Sequence, residues 1–358
     1  MFDISSGALT PERVQQFRRK LMQWYRVHAR DLPWRNIDSP YHTWVSEIML
    51  QQTRVNAVVD YYRRFMEQFP TVIALALAKE EDVLAAWSGL GYYRRARMLH
   101  HAAKFLVAEH EGVLPNNAEA LRKLPGIGEY TCAAIASIGF GERIAVVDGN
   151  VERVLLRVTG RPEDNTSTGR AFVRSQAQAL VPARHPGDHN QAMMELGAMV
   201  CTPREPHCKE CPVFDLCITR GEHMTNPRPR MRSQTVAYGV WLRNKENATH
   251  VLLRKRPVTE TLMGGMVELP LIEPEKVLGT EPVLRLRHAI TRTNYYVEVY
   301  KPNFRAPSGK DLIWVRTTSL DRVAFTGLAK KILVRLDIMR SSLRDRAKGT
   351  TDELEAGS

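Results

Sequence analysis

Apolar residues recur at three- and four-residue steps along roughly the first two hundred positions, and the pattern then shifts toward alternation. Such periods predict helices first and strands afterwards. Thr10-Pro11-Glu12 opens a helix to about Val27, with proline at its first position. Ser39-Pro40 opens a long helix through Trp44, Val45, Ile48, Met49, Val55 and Val58. Shorter helices are expected over 81–88, 92–110, 117–124 and 129–138, from Asp148 to Thr159, and over 168–181 and 190–200. Gly89, Gly112 and Gly160 mark the ends of three of them. Strands are expected over 235–243, 251–256, 284–300 and 312–316, with a helix over 320–340. The pattern thus predicts an all-α domain over 1–218, a linker over 219–234 and an α+β domain over 235–342. The tail, 343–358, is mostly polar and is expected to be disordered.

One stretch of the helical part carries a marked turn. Leu121 to Leu124 is apolar at helical spacing, Pro125 stops it, and Gly126-Ile127-Gly128 precedes a new helix from Glu129. Glycines there permit positive φ and close approach of a partner, and the first amides of the new helix carry partial positive charge. A DNA phosphate fits such a turn, as does a plain helix-helix connection with no anion. Twenty residues past Gly128 stands Asp148. Glu47 lies among core-type residues of its helix, either at the edge in water or held in a cleft with a raised pKa, and sequence alone favours water.

Lys and Arg outnumber Asp and Glu by 51 to 39, a net charge of +12, which favours a polyanionic partner. The linker adds Arg220, Arg228, Arg230 and Arg232 beside Pro227 and Pro229, a composition suited to lying along phosphates. No window approaches the ~18 apolar residues of a membrane span, and Met1 to Thr10 lacks a secretory pattern, so an intracellular, reducing compartment is expected. Four of the five cysteines, Cys201, Cys208, Cys211 and Cys217, fall in one short segment. Four thiolates so placed can enclose a zinc ion or a [4Fe-4S] cube, and the spacing does not separate the two. Cys132 stands apart as a small packing residue.

In this order the segments Leu32-Pro33-Trp34, Ser46-Glu47-Ile48-Met49-Leu50-Gln51-Gln52-Thr53, Gly89-Leu90-Gly91-Tyr92-Tyr93, Leu124-Pro125-Gly126-Ile127-Gly128, Val147-Asp148-Gly149-Asn150-Val151, Asn190-Gln191-Ala192-Met193-Met194 and the four cysteines resemble the MutY-type adenine DNA glycosylases of the helix-hairpin-helix superfamily, which also includes endonuclease III. The resemblance implies excision of adenine mispaired with 8-oxoguanine or guanine in duplex DNA, by a monomer that turns the nucleotide out of the stack. It makes Glu47 the acid that protonates the base and Asp148 the anion that stabilises the sugar cation, with Tyr130 and Asn150 assisting. It places Trp34, Arg35 and Glu195 around the adenine, puts Gln52 and Tyr92 at the opened pair, sets Gly126 and Gly128 on a phosphate, and assigns a [4Fe-4S] cluster to Cys201, Cys208, Cys211 and Cys217. Lysine stands at the position of Tyr130 in endonuclease III-like enzymes. A phenol forms no Schiff base, so little strand cleavage is expected. Lys123 reads as a surface residue.

The second domain of this family resembles a Nudix fold and reads 8-oxoguanine. Here no glycine-led, glutamate-rich Nudix box occurs between residues 235 and 340, which argues against pyrophosphate hydrolysis. The family's Phe-Ser-His loop reads Ile290-Thr291-Arg292: Thr291 keeps a hydroxyl for DNA contact, and Arg292 is either a phosphate or guanine-edge contact or a plain strand-end arginine. Two rival readings are a bifunctional endonuclease III-like glycosylase/lyase and a non-catalytic iron-sulfur DNA-binding protein.

Overall fold

The computed structural model describes residues 9–35, 37, 39–223, 231–260 and 263–339. The middle of the expected linker, with Pro227, Arg228, Pro229 and Arg230, and the polar tail over 343–358 lie outside the described residues.

Up to residue 200 the described residues form helices α1 (Pro11–His28), α2 (Pro40–Leu50), α3 (Val55–Gln68), α4 (Val72–Leu77), α5 (Glu80–Trp87), α6 (Arg94–His110), α7 (Ala118–Leu121), α8 (Glu129–Ala134), α9 (Gly149–Thr159), α10 (Ser167–Leu180) and α11 (Pro186–Met199). The chain divides into two compact units, and the division is not contiguous: one comprises Met1–Leu77 with Met98–Arg228, the other Ala78–Arg97 with Pro229–Ser358. The expected continuous 1–218 domain therefore gives up α5 and the loop after it to the second unit.

In the first unit α1, α9, α10 and α11 enclose a core of Phe17, Leu21, Leu155, Ala177, Leu180 and Leu196, and Val213 and Leu216 of the cysteine segment pack into it. The caps follow the sequence: Thr10 accepts from the Arg13 amide of α1, and Asp148 from the first amides of α9. The single long helix expected from Ser39 is instead two, α2 and α3, because the chain turns at Gln51 to Arg54, with Gln52 at φ 56°. Helix α2 is buried on almost all sides, from Thr43 to Met49. Helix α8 widens into one π-helical turn, Ile135–Gly139.

The second unit holds strands β1 (Arg232–Gly239), β2 (Leu242–Lys245), β3 (Ala248–Lys255), β4 (Val267–Glu268), β5 (Leu284–Ile290), β6 (Thr293–Tyr300) and β7 (Leu312–Arg316), and helix α12 (Gly327–Arg335). One sheet runs β1-β6-β5, with β1 parallel to β6; in the other, β3 pairs with β2, β4 and β7. The strand expected over 284–300 is a hairpin, closed at Ile290 opposite Thr293, and the one over 235–243 splits between the two sheets as β1 and β2. The helix expected from 320 starts only at Gly327, after a 3-10 segment, Thr317–Arg322. Val251, Leu253, Val297, Val299, Phe325, Ile332 and Leu333 form the main core of this unit.

The two turn glycines differ. Gly126 has φ +76°, and a Cβ there would stand 2.6 Å from the Met98 Cβ. Gly128 has ordinary extended backbone, φ −92°, and a Cβ there would meet nothing within 4 Å. The fold thus requires glycine at 126 and not at 128. In denaturant unfolding, Gly126→Ala should cost about 1–3 kcal/mol, and Gly128→Ala less than about 1 kcal/mol; equal losses would contradict this assignment.

Candidate active site

Burial of α2 puts the Glu47 carboxyl out of water, at 5% exposure. This overturns the expectation of a solvated edge position. Loss of hydration raises its pKa to about 7; the Tyr130 hydrogen bond and Arg35 pull the other way, and the charge of Asp148 adds to the rise. The Tyr130 hydroxyl donates to Glu47 Oε2 at 2.6 Å and lies 3.5 Å from the Met194 sulfur. Burial, then the Glu47 charge, holds the Tyr130 phenol well above its usual range, so it stays a donor.

Asp148 is the N-cap of α9. Its Oδ1 accepts from the amides of Asn150 and Val151 at 2.9 and 2.8 Å, and its Oδ2 from Asn150 Nδ2 at 2.8 Å. Three N–H donors and the positive end of a helix converge on one carboxylate. Asn150 is held in turn: Arg153 Nη2 donates to its Oδ1 at 2.8 Å, and Arg153 Nε donates to the Cys201 carbonyl at 2.7 Å. Asp148, Asn150, Tyr130 and Gln52 line one open cleft of about 640 Å³. Gln51 ties α2 to α8 through Thr131, Nε2 to Oγ1, at 3.1 Å.

Behind the cleft, Glu47, Trp34 and Arg35 line a small pocket of about 70 Å³ with Leu32, Ile138 and Met194. Trp34 packs edge-on against Tyr62, with ring centroids 5.3 Å apart. Glu195 does not line this pocket. Its side chain, 1% exposed, pairs with Arg30 at 2.7 Å and with Arg35 at 2.8 Å, so it orients the two guanidinium groups. Sequence reasoning singled out neither Arg30 nor the sulfur of Met194; nothing in their local pattern marks them, and only the tertiary packing brings them to the site.

The candidates for DNA contact share a backbone feature. Gln52, Tyr92 and Thr291 all have positive φ, 56°, 50° and 51°, a conformation that costs a side-chain-bearing residue of order 1–3 kcal/mol. Gln52 is exposed in the cleft of the first unit. Tyr92 is 48% exposed in the second, and Thr291 is exposed at the tip of the β5–β6 hairpin. Lys123 makes an exposed pair with Glu119, as a surface residue should, and Cys132 is buried.

Cys201, Cys208, Cys211 and Cys217 line one small pocket. Two N–H groups point at its sulfurs: Arg157 Nη1 lies 3.4 Å from Cys201 Sγ, and the Arg220 amide 3.4 Å from Cys217 Sγ. Burial and the neighbouring thiols raise Cys211 to about 11. Among the described residues no three His, Cys, Asp or Glu side chains stand close enough together to hold a single metal ion. No helix among them is long and apolar enough to cross a membrane.

Residues 45–177 match the model of the HhH-GPD superfamily base excision DNA repair proteins. The chain is similar to proteins named adenine DNA glycosylase. It is 51% identical to that of Rattus norvegicus over 217 residues and 49% identical to that of Homo sapiens over 220 residues. It is 38% identical to that of Buchnera aphidicola subsp. Baizongia pistaciae over 202 residues. These matches cover 57%, 58% and 56% of this chain, and 42%, 40% and 57% of the relatives, so the chain spans about half the length of the curated relatives it matches. A solved thermostable thymine-DNA glycosylase aligns with TM-score 0.55 at 28% identity, over 58% of this chain and 97% of that one. A trapped endonuclease III-DNA covalent intermediate aligns with TM-score 0.51 at 22% identity, over 59% and 97%, a likeness of fold.

Burial alone would raise Glu195, but hydrogen bonds from Arg30 and Arg35 outweigh it and bring the pKa to about 2. A depressed carboxylate contributes stability that is present above its unfolded value and lost as pH falls through its folded one. Between about pH 4.5 and 2 the chain should lose about 3 kcal/mol from this group. Urea unfolding across that range should show the loss, and Glu195→Gln should flatten it; an unchanged acid limb in the variant would contradict the assignment.

Proposed function

We propose that the chain excises adenine mispaired with 8-oxoguanine or guanine from duplex DNA, acting as a monomer. The observation that carries the reading is Glu47: a buried carboxyl, held near neutral pKa, hydrogen-bonded by Tyr130 and within the field of Asp148. Its Oε2 takes the Tyr130 proton donation, which leaves Oε1 to carry the acid proton toward an adenine ring nitrogen in the adjoining pocket. As the bond to the sugar breaks, positive charge grows on the sugar carbon, and the Asp148 carboxylate, fixed by three donors, meets it across the cleft. Trp34 stacks and Arg35 adds a cation at the pocket wall. Tyr130 stands where a lyase needs an amine, so base release ends in a free abasic site rather than a cut strand. The net charge of +12 draws the chain to its polyanionic substrate.

Gly128, open and unconstrained, leaves room for a DNA phosphate to approach the α8 amides. In the second unit, two small sheets with α12 support a Nudix-like reading, and the Thr291 turn is the contact for 8-oxoguanine. Cys201, Cys208, Cys211 and Cys217 fit a [4Fe-4S] cluster better than zinc. The four thiols line one small pocket, and no three of them stand close enough together to hold a single ion as zinc requires. N–H groups on two sulfurs suit cluster ligation, and when bound the cluster would tie the segment after α11 to the helical core.

Single-turnover base release from duplexes with A opposite 8-oxoguanine, G or T tests the reading. Release from the first two and not the third is expected, and equal rates on all three would contradict it. Glu47→Gln should lower the rate by about a hundred-fold or more. Because the acid must be protonated, the rate should decline as pH rises through about 7, the Glu47 value; a rate flat from pH 5 to 9 would remove Glu47 from the role. Purified protein should be brown and contain iron and inorganic sulfide; zinc alone would overturn the cluster.

A further inference from the structure

Within the second unit a short strap, Phe325 to Lys331, holds two separate elements at once. The Phe325 carbonyl is buried and accepts from the Tyr93 hydroxyl at 2.7 Å and from Ser88 Oγ at 3.2 Å. The Tyr93 oxygen accepts in turn from the Gly89 amide at 3.1 Å. Five residues on, Lys330 Nζ donates to the Ser88 carbonyl at 2.7 Å. The loop so pinned contains Gly89 at φ 110°, Gly91 at 75° and Tyr92 at 50°. A run of left-handed residues of this kind persists only where its surroundings over-determine it. Trp87 and Arg95 complete the clamp: Trp87 Nε1 donates to the Gly91 carbonyl at 3.2 Å, and the Arg95 guanidinium lies 5.5 Å from the Trp87 ring and 5.3 Å from that of Tyr92.

The other end of the strap reaches the hairpin. Lys331 Nζ donates to the Arg287 carbonyl of β5 at 3.4 Å, and Ile332 and Leu333 share a core with Leu286 of β5 and Val297 of β6. Strand β5 ends three residues after Arg287, at the Thr291 turn. Phe325 itself is fully buried and bridges to Val267 of β4, so the strap rests on a packed sheet and not on a free loop.

We propose that Tyr93, Ser88 and Lys330 are positioning residues that fix the Tyr92 loop to the strap, so that contact of the Thr291 turn with the base opposite adenine sets the placement of the Tyr92 ring. They touch no substrate and act through Tyr92. The inference rests on the proposed reading that the chain distinguishes 8-oxoguanine from guanine opposite adenine.

The test compares Tyr93→Phe and Lys330→Met with the unaltered full-length chain, each alone and combined with Tyr92→Ala. Two readouts are used: single-turnover adenine release opposite 8-oxoguanine and opposite G, and the Kd for the same duplexes carrying a cleavage-resistant 2′-fluoroadenosine. Loss of one buried hydrogen bond to the loop should slow release opposite 8-oxoguanine by about five- to ten-fold. The effect opposite G should be smaller, and the ratio of the two Kd values should narrow. In the Tyr92→Ala background the same substitutions should change neither ratio, because the residue they act through is gone. Equal losses in both backgrounds would make Tyr93 and Lys330 merely structural and overturn the inference, as would unchanged ratios in variants that melt with the unaltered chain. An unaltered chain that releases adenine from no duplex fails earlier, at the functional reading itself.

Discussion

The site is organised by a competition at one carboxyl group. Glu47 sits on a helix buried on nearly every side, so water cannot hydrate its charge, while the Tyr130 hydroxyl, 2.6 Å away, favours that charge. Burial wins, and the nearby Asp148 carboxylate pushes in the same direction, to about 7. An acid poised there holds a proton at neutral pH and can still release it. Remove the burial and Glu47 becomes an ordinary carboxylate; remove Tyr130 and its orientation is lost.

The surroundings of the two carboxyls differ. Asp148 faces the amides of a helix start and the side chain of Asn150, all donors, whereas Glu47 receives one hydroxyl in an apolar wall. That contrast gives two identical functional groups unlike surroundings. Glu195 does a third task with the same functional group. Its two arginine pairs keep Arg30 and Arg35 in place, so the guanidinium of Arg35 faces the pocket in a set direction. Arg153 links Asn150 to the backbone of Cys201, so the cysteine segment and the cleft share a hydrogen-bonded connection.

Much of this was legible in the sequence because it depends on local rules. The Thr10 and Asp148 caps, the stop at Gly160 and the change from helix to strand after the cysteines all follow from residue types at fixed offsets. What escaped the sequence was decided by tertiary packing. The turn at Gln51 to Arg54 contains neither glycine nor proline, so periodicity ran straight through it. The hairpin at Thr291 was hidden in the same way, since its left-handed residue is a threonine. The burial of Glu47 depends on α8 and the π-helical turn beside α2, which no window around residue 47 contains. Conversely, Gly126 and Gly128 looked alike in sequence, and only the folded backbone, with φ +76° at Gly126 and Met98 of α6 packed against it, separates a glycine the fold needs from one it does not. The grouping of Ala78–Arg97 with the second unit has no counterpart in composition at all, for that segment is helical like its neighbours.

The most direct test is the titration of Glu47 itself. The carboxyl carbon resonance of a 13C-glutamate-labelled chain, assigned by its absence in Glu47→Gln, should titrate with a midpoint near 7, as expected for the buried acid. In Asp148→Asn the midpoint should fall, because the charge that helps to raise it is gone. A midpoint in the ordinary carboxylate range of about 4.3, unmoved by the loss of Asp148, would contradict the account at its centre.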